Sequence, residues 1–497
     1  MTDERITDKK LSRRQLLGGA AAGAVALGAV AGAGKLIPRQ VAASSDAPVA
    51  SREFVEIAGA KRLVPAPAQT TDIFGNPSPT VLSADLVLVG FGSVGIPAAI
   101  EAFDAGVQNI IAIEKSPWIG GQGHRCGGAL AGANTVVQTY LGIDDNFNDF
   151  YEYLLACGQG MVDPALCRSF ATNDNVDWVI NTLGGQPVSE WAFSLDGAGQ
   201  PITPVAAGTK DAAIPGSVGF GLDYNGGSPY FQLSGTTPVM RSHWFTGNPA
   251  DAAFTAAHAG MPEPYANALC PKVNGTIANG GTGIFKTLND AVALRNATGP
   301  GNITVMTQTT LTGLVASDGE VLGISAADPN GNPLLIEAKR GVILGTGGWA
   351  ANPSMVQDYL LLPTSEFQIG KNPASEAIEV EEDGAGVLAA QAIGANTVNM
   401  AAGGGSASKA GFALTPLSAT YTDTLSDTLG AGGLKINANS QVIDIDGDII
   451  PRLYAGGRTT GGLTFHLYPV CGTDYGSAMW QGRVAGRNVA TLNPWTA

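Results

Sequence analysis

The sequence predicts an α/β protein with a doubly wound, largely parallel sheet. Three observations carry this. Asp85-Leu-Val-Leu-Val-Gly90 is an unbroken run of apolar, β-prone residues, the pattern of a strand buried on both faces. It leads into a Gly-rich turn and a stretch of helical pattern, Ile96-Pro-Ala-Ala-Ile-Glu-Ala-Phe-Asp-Ala105. A second apolar run, Asn109-Ile-Ile-Ala-Ile-Glu114, follows at once. Strand, helix and strand in this order make a βαβ unit.

Composition sets the outer limits. At 497 residues the chain has room for two or three domains, and its 44% hydrophobic residues supply a sizeable core. The 68 glycines occur as scattered doublets and triplets with no Gly-X-Y period, which excludes a collagen-like chain. The net charge of −15 argues against nucleic acid or an anionic membrane surface as partner. None of the five cysteines forms a C-x-x-C pair, and no two of the four histidines stand four apart. A c-type haem, an iron–sulfur cluster or a metal site is therefore not expected.

Taken from its start, the chain first shows Ser12-Arg13-Arg14-Gln15-Leu16-Leu17 and then an apolar run to about Gly34. Paired arginines before a Gly/Ala-rich segment read as a twin-arginine (Tat) export signal over residues 1–43. The run is too poor in Leu and Ile for a strong membrane anchor. Cleavage could follow Ala33 or Ala43. Export by the Tat machinery to the periplasm or the extracellular space is the expectation. Residues 44–80, with several Pro and Ala, read as a linker ending in a turn at Phe74-Gly-Asn-Pro-Ser-Pro79.

The glycines between the first strand and helix are spaced Gly90-Phe-Gly92-Ser-Val-Gly95. Gly90 permits a tight turn, Gly92 lets the backbone approach a pyrophosphate, and Gly95 lets the helix pack on the strand. The helix N-terminus would face the phosphates. Glu114, closing the second strand, would accept from ribose hydroxyls. Together these features predict a Rossmann-like dinucleotide site.

Gly120-Gly121 follows Glu114 closely, where the chain would pass beside a long cofactor. This segment resembles the flavoprotein family of fumarate reductases and 3-ketosteroid dehydrogenases. Further segments share the likeness: Asp163–Phe170, Val176–Gly184, Gly341-Val-Ile-Leu-Gly-Thr-Gly347-Gly348, Gly384–Ala395, Gly432–Asn437, Ile450–Gly457 and Gly482–Gly486. The resemblance implies FAD as cofactor, held also by Gly347, Gly348, Gly457 and Ala478. Ala478 lies in a final helix, about 476–490, whose N-terminus would point at the flavin ring. It implies a discontinuous FAD-binding domain from 81–184, 276–348 and 431–497. Segments 185–275, rich in aromatics, and 349–430 would cap it.

The sequence departs from fumarate reductases where substrate would bind. About forty residues separate Gly394 from Gly432, without arginine or His-Pro-Thr, and Tyr468 stands where that family has its carboxylate-clamping arginine. His466-Leu-Tyr468-Pro-Val-Cys-Gly472 instead resembles the Tyr-Pro-x-x-Gly motif of 3-ketosteroid dehydrogenases. That likeness implies Tyr468 and the Gly472 N–H as donors to a ketone oxygen. Tyr475, Tyr265 and Tyr230 are candidate proton acceptors. His243, within Arg241-Ser-His243-Trp244, is a candidate acid/base or a hydrogen-bonded structural histidine. His124 could carry covalent flavin, although its spacing from Gly127-Gly128 does not match that of succinate dehydrogenases.

The expected function is an exported FAD-dependent oxidoreductase forming or reducing a C=C bond beside a carbonyl, on a hydrophobic cyclic ketone. The alternatives are oxidation of a C–O or C–N bond, a fumarate-reductase-like terminal reductase, and a flavin electron carrier. The expected partners are a small-molecule substrate and a separate electron acceptor: a quinone, a redox protein or oxygen.

Overall fold

In the computed structural model the described residues are 79–183 (without 125–128 and 141–142), 280–360 (without 350–351), 382–401, 432–465 and 469–495 (without 471). Short pieces at 53–57, 60–64, 218–219, 235, 239, 241–244, 403–404 and 429–430 are also described. The Tat signal, nearly all of the aromatic-rich segment 185–275, and Tyr468 lie outside these residues. Within the stretch read as a linker, Glu53–Ile57 pairs antiparallel with Ala60–Val64. Among the described residues no helix is long and apolar enough to cross a membrane.

The βαβ unit forms where the sequence placed it. Strand β1 is Thr80–Val89, helix α1 is Gly95–Asp104 and strand β2 is Asn109–Ile113. Leu86, Val87 and Leu88 are all fully buried, as a strand covered on both faces requires. Short strand β3, Ala129–Ala131, is followed by helices α2, Phe147–Gly158, and α3, Pro164–Ala171. Strand β4, Ser242–Trp244, pairs antiparallel with β3. Helix α4, Gly280–Thr298, then precedes strands β5, Asn302–Met306; β6, Thr310–Ser317; β7, Glu320–Ala327; and β8, Pro333–Leu344. Helix α5 is Ala385–Gln391, strands β9 and β10 are Gln441–Ile443 and Ile449–Ala455, and helix α6 is Thr473–Thr491.

The main sheet has eight strands, six of them in the order β9-β10-β8-β1-β2-β5. The five from β10 to β5 run parallel. Strand β8 is shared: its first half pairs antiparallel with β7, and its last three residues pair parallel with β10. A shift in its pairing with β1 between Ala338 and Gly341 separates the two halves. The doubly wound α/β expectation is met, with β6 and β7 added as an antiparallel branch.

Helix α6 crosses α1 on small residues. A Cβ on Gly482 would lie 2.3 Å from the Val94 carbonyl oxygen, and one on Gly486 2.4 Å from that of Ala98. Backbone thus touches backbone, and α6 reaches the β1–α1 turn. Arg483 secures the crossing from a nearly buried position. It pairs with Glu101 of α1 and Asp174 at 2.6 Å each, and lies over the Trp178 ring at 4.2 Å. The helix begins at Thr473, three residues before the sequence expectation, because Gly472 adopts a left-handed conformation (φ 92°) as its N-cap.

Replacing Gly482 by Val forces these helices apart. Overpacking of this kind costs about 1–3 kcal/mol, so Gly482→Val is expected to lower the urea midpoint of purified protein by a corresponding amount. Leu294→Ala is the control, since that side chain on α4 is 59% exposed.

Candidate functional site

The β1–α1 turn is formed by backbone contact. Gly90 has φ 91°, and a Cβ there would lie 2.3 Å from the Gly345 carbonyl oxygen. A Cβ on Gly95 would lie 2.1 Å from the Gly90 oxygen. No side chain larger than hydrogen fits either place. Gly92 faces Gly120, whose N–H donates to Phe91 O at 2.9 Å, and Gly121 lies beside it. The five glycines predicted around the cofactor phosphates and Glu114 are therefore gathered in one place.

Glu114 turns back toward this turn. Its carboxylate accepts from Phe91 N–H at 3.0 Å and from Ser116 N–H at 2.9 Å. These bonds fix the carboxylate beside the Gly-rich turn, and carboxylate oxygens can accept more than one hydrogen bond each. Helix α1 itself has no side-chain cap and no acidic residue in its first turn. By contrast, α2 is capped by Asn146 and α3 by Asp163. An N-terminus without a side-chain cap, reached by glycines and flanked by a fixed carboxylate, fits the pyrophosphate and ribose of FAD.

Glycines from two further segments meet Val94, the N-cap of α1. Gly345 follows β8, and a Cβ there would lie 2.8 Å from Val94 Cβ. A Cβ on Gly457 would lie 2.9 Å from Val94 Cγ2 and 3.1 Å from Ala478 Cβ. The Gly457 N–H donates to Gln481 Oε1 at 2.7 Å. Gly347 and Gly348 stand against Glu382. Arg458, next to Gly457, bonds Glu382 at 3.0 Å and Asp474 of α6 at 2.8 Å. Sequence reasoning missed Arg458, Glu382, Asp474 and Gln481, which belong to no motif and meet only in the fold.

A second, buried cluster lies at β3 and β4. Arg241 makes a two-point ion pair with Asp145, at 2.8 and 2.6 Å, with both side chains at most 1% exposed. Gln138 also donates to Asp145, at 2.9 Å. His243 is buried, with Nδ1 2.9 Å from the Arg241 carbonyl oxygen and 3.1 Å from that of Leu130. Two carbonyls at Nδ1 place the ring proton there. Nε2 then accepts from the Thr135 hydroxyl at 2.8 Å. Both ring nitrogens are engaged within the protein, the arrangement of the structural histidine rather than of an acid/base open to substrate. Asp145, Gln138 and Thr135 had no signal in the sequence.

Gly472 caps α6 and packs on β3, its carbonyl accepting from Ala131 N–H at 3.1 Å. Tyr153, also missed, donates to the Pro469 carbonyl at 2.7 Å and so anchors the chain beside Tyr468. Tyr475 is buried against Gly123. Tyr468, Tyr230 and Tyr265 and the side chain of His124 lie outside the described residues. Among the described residues no three His, Cys, Asp or Glu gather as metal ligands would.

Comparisons with known proteins agree with this geometry. The sequence profile described as FAD binding domain matches residues 85–410. Over 325 residues the chain is 28% identical to a 3-oxosteroid 1-dehydrogenase of Mycolicibacterium smegmatis, covering 63% of this chain and 53% of that protein. Over 128 residues it is 34% identical to a fumarate reductase (cytochrome) of Shewanella frigidimarina, covering 24% of this chain and 22% of that one. The match thus spans about half the length of the first relative and about a fifth of the second. Among solved structures, a 3-ketosteroid-delta4-(5alpha)-dehydrogenase from Rhodococcus jostii is similar in fold. Its TM-score is 0.60 at 18% identity, over 86% of this chain and all of that one. The open conformation of a flavocytochrome c3 fumarate reductase gives a TM-score of 0.55 at 18% identity, over 83% and 79%. At these identities the structural likeness speaks for the fold.

The His243 environment has a pH signature. Burial lowers its pKa to about 4, against the upward pull of the Leu130 and Arg241 carbonyls and of Asp145. In the unfolded chain the ring titrates near 6.5. The folded pKa is the lower one, so the contribution to stability is complete above about pH 6.5 and is lost as pH falls toward 4. The loss by pH 4.5 is about 2–3 kcal/mol. His243→Asn is expected to lose correspondingly less stability between pH 7 and pH 4.5, read from urea unfolding at the two pH values.

Proposed function

Because the chain belongs to the FAD-binding domain family, we propose that it is an FAD-dependent oxidoreductase that forms or reduces a C=C bond beside the carbonyl of a hydrophobic cyclic ketone. The observation that carries this reading is the run Tyr468-Pro469-x-x-Gly472 at the start of α6. Gly472 supplies the left-handed N-cap, and Tyr153 fixes Pro469. Tyr468 also stands where a dicarboxylate site would need a guanidinium, which disfavours fumarate.

Gly90, Gly92, Gly95, Gly120, Gly121 and Glu114 would hold the adenosine and pyrophosphate half of FAD. Gly347, Gly348, Gly457 and Ala478 would line the flavin half. FAD, when bound, supplies the acceptor or donor for hydride. The chain's own part is to bind and polarise the ketone. The Tyr468 hydroxyl and the Gly472 N–H would donate to its oxygen, which acidifies the neighbouring C–H. A tyrosine, from Tyr475, Tyr265 and Tyr230, would take the proton. His243 would hold β4 on β3 rather than exchange a proton with substrate. Residues 1–43 would direct export through the Tat machinery, and electrons would pass to or from a quinone, a redox protein or oxygen.

Anaerobic exposure to cyclic ketones, alcohols and amines tests the reading, followed by the loss of flavin absorbance. Bleaching by saturated cyclic ketones is the expected result. Bleaching by alcohols or amines alone would move the activity to C–O or C–N bonds, and none by any donor would leave an electron carrier. With the active donor in hand, Tyr468→Phe should lower kcat by roughly 10²–10³ while leaving the flavin-to-protein ratio unchanged. A Phe variant with full turnover would remove Tyr468 from the mechanism.

A further inference from the structure

We propose that Arg458 is a positioning residue that sets the charge beside the flavin half of the site, through its ion pairs with Glu382 and Asp474. The proposal rests on the FAD reading above. The three residues come from separate segments: the turn before α5, the turn after β10, and the first turn of α6. Arg458 Nη1 lies 3.0 and 3.2 Å from the two Glu382 oxygens, and Nε lies 2.8 Å from Asp474 Oδ2. The cluster is largely withdrawn from solvent, with side-chain exposures of 15% for Arg458, 8% for Glu382 and 31% for Asp474.

Its place is what makes it more than a brace. A Cβ on Gly347 would lie 3.2 Å from Glu382 Cγ, and one on Gly348 3.5 Å from Glu382 Oε2 and 3.7 Å from Arg458 Cβ. The Thr459 hydroxyl donates to the Gly347 carbonyl at 3.2 Å. The Glu382 carboxylate, held by Arg458, therefore lies against the glycine pair assigned to the cofactor. Asp474 also occupies the first turn of α6, where it offsets the positive end of the helix dipole. Arg458 thus places one positive charge between two carboxylates, in surroundings that screen it less than water does. Without Arg458 the site would lose that positive charge. A reduced cofactor carries more negative charge than an oxidised one, so its formation would become less favourable. Without Asp474 the site would lose one negative charge, and reduction would become more favourable.

The test is the flavin midpoint potential of purified holoprotein, by anaerobic reductive titration, for wild type, Arg458→Gln, Arg458→Lys and Asp474→Asn. The expected result is a tenfold or larger shift of the redox equilibrium against reduction in Arg458→Gln, about 30 mV for a two-electron couple. Arg458→Lys should stay near wild type, and Asp474→Asn should shift the opposite way. Equal potentials in all four proteins, or shifts of one sign in both charge-removing variants, would overturn the proposal, since general loosening gives no opposite signs. If Arg458→Gln does not fold, Asp474→Asn decides: a raised potential supports the proposal, and an unchanged or lowered one overturns it. Wild-type protein that holds no flavin would overturn the FAD reading and this proposal with it. Wild-type flavoprotein whose potential ignores these substitutions would overturn this proposal alone.

Discussion

Backbone contact at the β1–α1 turn is the constraint on which the rest of the molecule depends. Gly90 approaches Gly345, and Gly95 approaches Gly90, at separations that exclude any side chain. The same turn is met from below by α6 through Gly482 and Gly486. Strand β1, strand β8 and helix α6 are thereby drawn to one point. That point is the N-terminus of α1, which has no side-chain cap. A close-packed turn of glycines positions backbone amides without placing bulk before them, which is what an anionic ligand of large size needs.

Charge is distributed around this point with a clear division. Helices α2 and α3, away from it, carry Asn146 and Asp163 as caps. The buried pair of Arg241 and Asp145 holds β4 and α2 together in the apolar interior, where loss of one partner would leave the other uncompensated, at a cost of about 3–5 kcal/mol. The ion pairs of Arg483 tie α6 to α1 and to Asp174. The Arg458 cluster, by contrast, stands against glycines assigned to the cofactor. Ion pairs of similar length thus serve different ends according to what they face.

Much of this was legible in the sequence because it is local. An apolar run, a glycine spacing and a terminal acid determine β1, its turn, α1 and β2 within about thirty residues, and Glu114 lies where that pattern put it. The glycines at 120, 121, 347, 348 and 457 were assigned by likeness to a family; in the fold Gly120 and Gly121 lie against Gly92, Gly457 against Val94 and Ala478, and Gly347 and Gly348 against Glu382. Residues joined only through the tertiary structure stayed hidden. Arg241 and Asp145 are 96 positions apart, Tyr153 and Pro469 are 316 apart, and Arg458 and Glu382 are 76 apart. No periodicity links them. The branch of β7 and β6 from β8 was hidden for a related reason. A twelve-residue strand reads as one apolar run, although its two halves have different neighbours. The start of α6 was set three residues late because the left-handed cap at Gly472 has no periodic signature of its own.

The central claim is that the β1–α1 turn and Glu114 bind the adenosine and pyrophosphate half of FAD. Titration of flavin-stripped protein with FAD, FMN and NAD tests it most directly, with bound nucleotide measured after separation and release. The account predicts one FAD per chain, no comparable binding of FMN, which lacks that half, and no displacement of FAD by NAD. FMN binding as tightly as FAD would contradict it.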